Sequence, residues 1–193
     1  RVEYSNAGIT LAALAVERAT GLPFPKALQA LVLEPLEVEA YLGEDPPRPA
    51  LYVPGNYGHH TGAPTEPFNS SFWLHLAQPY GGLVTTAAGM LDLACAFLPG
   101  TGFLPRELLA DALTDQTNGV PGRLMGMMSG QPFPWGLGPD LHDAKQPHFA
   151  PPEASTGSFG HAGASGSLVW VDPAAGVAWA VLGPATFDRW WLQ

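Results

Sequence analysis

The chain has 193 residues, enough for one domain with a sizeable core, and its 46% hydrophobic and 13% charged residues exclude a disordered protein. An excess of 17 acidic over 8 basic residues gives a formal net charge of −9, which argues against binding to nucleic acid or to anionic membranes. A single cysteine excludes an internal disulfide, and no apolar run approaches the roughly 20 residues of a membrane span.

Two helices are predicted near the start of the chain. Residues 7–20 are rich in alanine and other apolar side chains, which predicts a largely buried helix. Ser5 or Asn6 suits its N-cap, and Gly21 is a typical residue to end it. A second helix is predicted over residues 25–33, because proline is favoured in a first helical turn.

The middle of the chain alternates between loops and helices. Residues 43–67 are rich in glycine and proline, which indicates an irregular loop of the kind that often carries specificity elements. A third helix is predicted over residues 87–98, with Thr85 or Thr86 as its cap. A fourth helix is predicted over residues 105–115.

The last part of the chain reads as a sheet. Residues 168–171 and 177–182 are two β-type runs, and the turn sequence at 172–176 between them predicts a hairpin. Because both faces of these strands are apolar, helices are expected on both sides of the sheet. Residues 186–192 could form one of them.

We therefore predict a mixed α+β fold, an antiparallel sheet flanked by helices with a helical insertion. Residues 1–193 are expected to form a single domain. Its helical part extends to about residue 118, a connection rich in glycine and proline covers residues 119–157, and the sheet with its terminal helix covers residues 158–193.

Two short motifs near opposite ends of the chain point to chemistry. Tyr4-Ser5-Asn6 precedes the first helix, and His161-Ala162-Gly163 precedes the hairpin. With Gly81-Gly82-Leu83 between them, they occur in the order found in the serine β-lactamase, penicillin-binding protein and esterase superfamily. The chain resembles the branch of class C β-lactamases, D-alanyl-D-alanine peptidases and esterases, in which the middle motif is Tyr-x-Asn. The resemblance implies hydrolysis of a small ester, amide or peptide substrate through an acyl-enzyme, with no metal or cofactor.

The resemblance also implies roles for five residues. Tyr4 is the expected base, although nearby cations must lower the pKa of its phenol from the ordinary value of about 10. Asn6 would position the substrate carbonyl and a lysine, and His161 would contact the proton or the substrate. Gly163 would let the substrate lie close to the backbone of an edge strand, where the Ala164 N–H would donate to the oxyanion.

Several positions depart from the family pattern. No serine of the chain is followed three residues later by lysine, so the Ser-x-x-Lys nucleophile is absent. We expect that segment upstream of Arg1, and we expect the chain alone to be inactive. Ala162 replaces a hydroxyl residue, and His161 stands where many relatives carry lysine, which favours neutral esters or amides over penicillins. Gly89 and Glu37 stand where an acidic residue and a glycine are expected.

Other interpretations stay open. Tyr4-Ser5-Asn6 could be only a helix cap with a packed aromatic residue, and His161 only a core or surface histidine. The protein could also be a degenerate family member that binds a peptide or a glycan in the old cleft. Histidines such as His59 and His60 lack the spacing of a metal site. An incomplete sheet would expose an apolar edge, which predicts a homo-oligomer. The sequence is compatible with a location in the cytoplasm or in the cell envelope and does not decide between them.

Overall fold

The computed structural model describes residues 1–53, 62–65, 67–124, 128–130, 132–143, 145 and 148–186. The helices of that part are α1 Asn6–Thr20, α2 Phe24–Leu28 with a π-helical continuation at Gln29–Leu33, α3 Ser71–His75, α4 Ala87–Cys95 and α5 Arg106–Ala112. Its strands are β1 Val2–Glu3, β2 Ala40–Tyr41, β3 Val84–Thr85, β4 Gly122–Leu124, β5 Met128–Gly130, β6 Asp140–Leu141, β7 Phe159–Gly163, β8 Ser167–Asp172 and β9 Val177–Leu182. Within the same residues, no helix is both long and apolar enough to cross a bilayer.

The strands form three sheets in the described part of the chain. The largest has the order β6-β7-β8-β9, and every neighbouring pair in it is antiparallel. A second sheet has the order β1-β4-β5, in which β1 runs parallel to β4. The third consists of β2 and β3 alone. The α+β class with an antiparallel sheet flanked by helices is therefore confirmed.

The predicted hairpin is formed by β8 and β9, which pair along their whole length. One face of the sheet, with Phe159 and Val171, packs against Phe97 and Leu98, which follow α4. The predicted covering helix over residues 186–192 lies, apart from residue 186, outside the described residues. In the described part, Phe149, Ala150, Ala154 and Trp179 pack around Trp170 on the other face.

Helix α1 has the predicted position, but its predicted burial is wrong. Ser5 is the N-cap, with φ −143° and ψ 112°, and its Oγ accepts a hydrogen bond from the Gly8 N–H at 3.2 Å. Gly21 ends the helix with a left-handed φ of 71°. In α1 only Ala13 is buried, whereas Leu11 is 66% exposed. Apolar composition shows only that a helix can be buried. In the described part of the chain, the neighbouring elements cover only one face of α1.

The structure shows the local surroundings of two departures from the pattern of the superfamily that the chain resembles. Glu37 has a φ of 55°, in the left-handed region where glycine is favoured, so the backbone keeps the glycine-like conformation without the glycine. A Cβ at Gly89 would lie 2.4 Å from Thr85 Oγ1 and 3.2 Å from Val38 Cγ1. An acidic side chain at position 89 therefore does not fit this packing of the first turn of α4.

Candidate active site

The cap of α1 determines where the first motif places its side chains. Because Ser5 is the extended N-cap, Tyr4 lies outside the helix and Asn6 is its first residue. The Tyr4 N–H donates to the Arg123 carbonyl at 3.4 Å, which continues the pairing of β1 with β4. Tyr4 is half-buried and packs against Phe133, whereas Asn6 is exposed. The motif is therefore a helix cap with a packed aromatic residue, whatever further role it has.

The second motif is held by the register of β7. His161 pairs with Val169, and Gly163 pairs with Ser167 at the end of the strand. The second motif was expected on an edge strand, but β7 is not an edge strand over its whole length. Its first two residues pair with β6, Phe159 with Leu141 and Gly160 with Asp140. From His161 onward, β8 is the only described strand that pairs with β7. Ala164 lies just beyond β7, in the turn to β8.

The two motifs meet at three aromatic rings. The Tyr4 and His161 ring centroids are 5.7 Å apart. Trp135 lies 5.7 Å from Tyr4 and 5.8 Å from His161, and its plane is at 81° to the imidazole. The fold thus joins residues from the two ends of the chain around one tryptophan, which comes from the stretch rich in glycine and proline. We call Tyr4, Trp135 and His161 the ring triad.

Burial keeps both titratable members of the ring triad uncharged near neutral pH. Burial raises the pKa of the Tyr4 phenol above its ordinary value of 10.0, and no charged group among the described residues shifts it back. Burial lowers the pKa of His161, while the Asp140 carboxylate and then the Ala162 backbone oppose that shift. Tyr4 in this environment keeps its own proton, so proton abstraction would require a nearby cation that lowers the pKa of the phenol.

The surroundings of Gly163 leave room for a side chain at that position. A Cβ at Gly163 would be 3.7 Å from its nearest neighbours, Ser165 Oγ and Ser167 Cβ, which is ordinary van der Waals contact. A Cβ at Gly160, in contrast, would lie 2.1 Å from the Val169 carbonyl oxygen. The protein itself therefore requires glycine at position 160 but not at position 163.

Sequence reasoning missed a buried ion pair behind the ring triad. Lys145 Nζ donates a hydrogen bond to Asp140 Oδ1, and the two side chains are 2% and 1% exposed. The ammonium lies 4.5 Å from the centroid of the Phe133 ring and 5.2 Å from that of Trp135. The sequence contains only a weak signal for this ion pair: one of the two lysines of the chain lies in a stretch without helix or strand character.

A metal-dependent site finds no support in the described part of the chain. Those residues contain no group of three or more His, Cys, Asp or Glu side chains that could hold a metal ion. The pair His59 and His60, noted in the sequence, lies outside the described residues.

Comparisons with known proteins agree on one family. The family model described as Beta-lactamase matches residues 1–184. A solved beta-lactamase from Mycobacterium bovis is 30% identical, with a TM-score of 0.76, and the match covers 98% of this chain and 59% of that one. No curated protein matches the chain.

Two further solved structures are similar in fold alone. A D-amino acid amidase from Ochrobactrum anthropi SV3 is 20% identical with a TM-score of 0.66, and the match covers 99% of this chain and 58% of that chain. A penicillin-binding protein homolog from Caulobacter crescentus is 20% identical with a TM-score of 0.58, and the match covers 88% of this chain and 49% of that chain. The chain therefore spans less than two thirds of the length of each of these three structures.

Proposed function

Because the chain belongs to the beta-lactamase family, we propose that it forms part of a serine hydrolase that acts through an acyl-enzyme on an ester, amide or β-lactam. The observation that carries this proposal is the 5.7 Å approach of Tyr4 to His161. The two residues come from separate motifs: Tyr4 follows β1 of one sheet, and His161 lies in β7 of another. Packing alone does not require a phenol beside an imidazole.

The proposed mechanism divides the work between this chain and a Ser-x-x-Lys segment that its 193 residues do not contain. The serine would attack the carbonyl, and the lysine would supply the cation that Tyr4 needs, because burial alone raises the pKa of the phenol. Tyr4 is the proposed base and Asn6 the residue that positions substrate and lysine. The Ala164 N–H would donate to the oxyanion, and Gly163 would admit the substrate. The chain alone would then be inactive.

The electrostatics of the site favour an uncharged substrate. His161 occupies the position of the family lysine, and burial lowers the pKa of its imidazole. A neutral imidazole can donate or accept a hydrogen bond but gives no charge to a substrate carboxylate. We therefore propose a neutral ester or amide as the substrate in preference to a penicillin.

The test begins with the gene. The codons upstream of Arg1 either encode Ser-x-x-Lys or do not. The longer protein and the 193-residue chain are then assayed with p-nitrophenyl acetate and nitrocefin. We expect turnover of the ester by the longer protein only, a loss of turnover in Tyr4→Phe, and no loss in Tyr52→Phe, whose ring is 59% exposed. The proposal would be wrong if the 193-residue chain alone turned over a substrate and Tyr4→Phe abolished that turnover.

A second candidate function is a binding module for a peptide or a glycan. The raised pKa of Tyr4 favours it, because an uncharged phenol in the ring triad can stack and donate a hydrogen bond without catalysing anything. This candidate predicts that no Ser-x-x-Lys is encoded upstream. It also predicts that Trp135→Ala abolishes binding of a peptide or oligosaccharide while no variant changes ester turnover.

We further propose that the 193-residue chain self-associates through β9. Among the described strands, only β8 pairs with β9. Within the described part of the chain, its other edge therefore has backbone donors and acceptors that a second copy could pair with. Val177 and Val181 on this strand are 51% and 40% exposed. Sedimentation velocity should reveal a dimer that Val181→Lys dissociates. A monomer over the whole concentration range would refute the proposal.

A further inference from the structure

A cavity of about 620 Å³ lies between β2 and the helical segment formed by α2 and its π-helical continuation. This volume is typical of a small-molecule site. The strand wall consists of residues 38–44, and the helical wall consists of Pro23, Pro25, Lys26, Gln29 and Leu33. None of these residues belongs to the ring triad or to the two motifs.

The cavity is bounded by protein at both ends. At one end the Val38 N–H donates to the Leu33 carbonyl at 2.9 Å, which joins the strand to the π-helical segment. At the other end a Cβ at Gly43 would lie 3.0 Å from Ala77 Cβ and 3.6 Å from Pro25 Cγ. The space therefore suits a small molecule and not an extended chain that passes through it.

The helical wall is irregular where it borders the cavity. The Glu34 N–H donates to the Gln29 carbonyl at 2.9 Å, which is the hydrogen-bond spacing of a π-helix. Gln29 and Leu33, the first and last residues of the π-helical segment, both line the cavity. Single π-helical turns are rare and are frequently found at functional sites.

The inner part of the cavity is apolar. Leu33 is 2% exposed, and Val38, Ala40 and Leu42 are each 7% exposed. Leu33, Val38 and Ala40 also belong to one hydrophobic cluster. A ligand that reaches these side chains would bury an apolar group against them.

The outer part of the cavity carries two carboxylates near one phenol. The Tyr41 hydroxyl donates to Glu39 Oε1 at 2.7 Å. This hydrogen bond foremost raises the pKa of Tyr41, and the charge of Glu44 acts in the same direction, so the phenol stays uncharged. Arg48 Nη2 lies 3.9 Å from Glu39 Oε2, but both side chains are more than half exposed. Such an exposed ion pair is weak, and it leaves Glu39 available to a ligand.

The charge of the lining favours a cation. The lining contains two carboxylates, Glu39 and Glu44, and one ammonium, Lys26, which leaves one negative charge in excess. The whole chain has a formal net charge of −9, which also attracts cations. Carboxylates only accept hydrogen bonds, and an ammonium group only donates them.

We propose that this cavity binds a small organic cation, a primary ammonium attached to an apolar group. Glu39 and Glu44 accept hydrogen bonds from the ammonium, and Leu33 and Leu42 contact the apolar group. The inference goes beyond the proposed function, because the residues that line the cavity take no part in the proposed hydrolysis.

The test is an NMR titration of the ¹⁵N-labelled 193-residue chain with phenethylamine, which at pH 7 is an ammonium on an apolar group. The matched anion is 3-phenylpropionate, in which a carboxylate replaces the ammonium on the same phenethyl group. With phenethylamine we expect saturable shifts of the amide signals of residues 38–44. The Kd of 3-phenylpropionate should be about tenfold higher or more, because it meets two like charges.

The variant Glu39→Gln/Glu44→Gln removes both negative charges and keeps an acceptor for the Tyr41 hydroxyl. It should raise the Kd of phenethylamine about tenfold. Both positions are exposed, so the variant should fold as the wild type does. The matched control is Glu153→Gln, at an exposed position outside the cavity, which should leave the Kd unchanged. Lys26→Met removes a like charge and should leave the Kd equal or lower.

Three results would each overturn the proposal. They are the absence of saturable shifts at residues 38–44, equal binding of the two probes, and an unchanged Kd of phenethylamine in the double variant. A higher Kd in Lys26→Met would also overturn it, because the Lys26 ammonium would then attract the ligand. The titration needs neither a nucleophile nor turnover, so its outcome is independent of the hydrolase assay.

Discussion

The same substitution at two glycines of β7 should have opposite consequences. Gly160→Ala places a Cβ 2.1 Å from the Val169 carbonyl oxygen and 2.4 Å from Trp170 Cε3. Neither atom can move freely, because the first belongs to the backbone of β8 and Trp170 is fully buried. Relief requires β7 and β8 to separate by about 1 Å, so we expect a loss of about 3 kcal/mol or more in the free energy of unfolding.

Gly163→Ala should leave the fold intact. Its Cβ would be 3.7 Å from the nearest neighbours, and its φ lies outside the left-handed region. Loss of backbone freedom in the unfolded chain should offset any local adjustment, so the free energy of unfolding should stay within about 1 kcal/mol of the wild-type value. If Gly163 admits the substrate, turnover by the longer protein should nevertheless fall, because the methyl group occupies that space.

The assay is urea unfolding followed by tryptophan fluorescence, combined with turnover of p-nitrophenyl acetate by the same variants in the longer protein. Similar losses of stability in Gly160→Ala and Gly163→Ala would refute the packing argument. A stable Gly163→Ala variant with unchanged turnover would instead refute the substrate-facing role of Gly163 while leaving the packing argument intact.

Two further predictions concern stability alone. Asp172 is buried, and its carboxylate accepts hydrogen bonds from the Ser155 N–H at 2.8 Å, from the Ala175 N–H at 3.1 Å and from the Ser155 hydroxyl. These hydrogen bonds, above all that from the Ser155 hydroxyl, lower the pKa of the Asp172 carboxyl. The stabilisation that the Asp172 carboxylate provides is therefore present above the unfolded-state pKa of about 3.9 and is lost as pH falls through the lower folded-state pKa. Asp172→Ala should lower the free energy of unfolding by about 2 kcal/mol at pH 7 and by less at pH 3. An equal loss at both pH values would contradict this linkage. Glu37→Gly relieves a φ of 55° and should stabilise by about 1 kcal/mol in thermal unfolding, whereas a lowered Tm would contradict the strain.

Local signals in the sequence were sufficient for the elements that carry their own boundaries. The Ser5 cap, the Gly21 terminus and the 172–176 turn each depend on residues within a few positions of one another. The predicted helix over 87–98 begins at residue 87 as expected and ends earlier, at Cys95. These features are determined by backbone conformation and capping, which neighbouring residues control.

Features that depend on distant partners could not be predicted in the same way. Strands such as β1 and β6 have two residues each, too few to produce a period in the sequence. Lys145 is buried, against the usual rule that lysine is exposed, and its burial depends on partners distant in sequence: the Asp140 carboxylate and the rings of Phe133 and Trp135. The exposed face of α1 is the converse case, because apolar composition indicates that a helix can be buried without indicating what covers it.

The two halves of the candidate site are held with different strength. His161 lies in a strand that has five register pairs with β8. Tyr4 follows a strand with two register pairs to β4, supported by the exposed ion pair of Glu3 and Arg123, and such pairs contribute at most about 1 kcal/mol. The position of Tyr4 therefore depends mainly on its packing against Phe133 and Trp135, the two rings over which Lys145 lies. The packing of Phe133 and Trp135, more than either motif, therefore holds the proposed base Tyr4 beside the His161 imidazole.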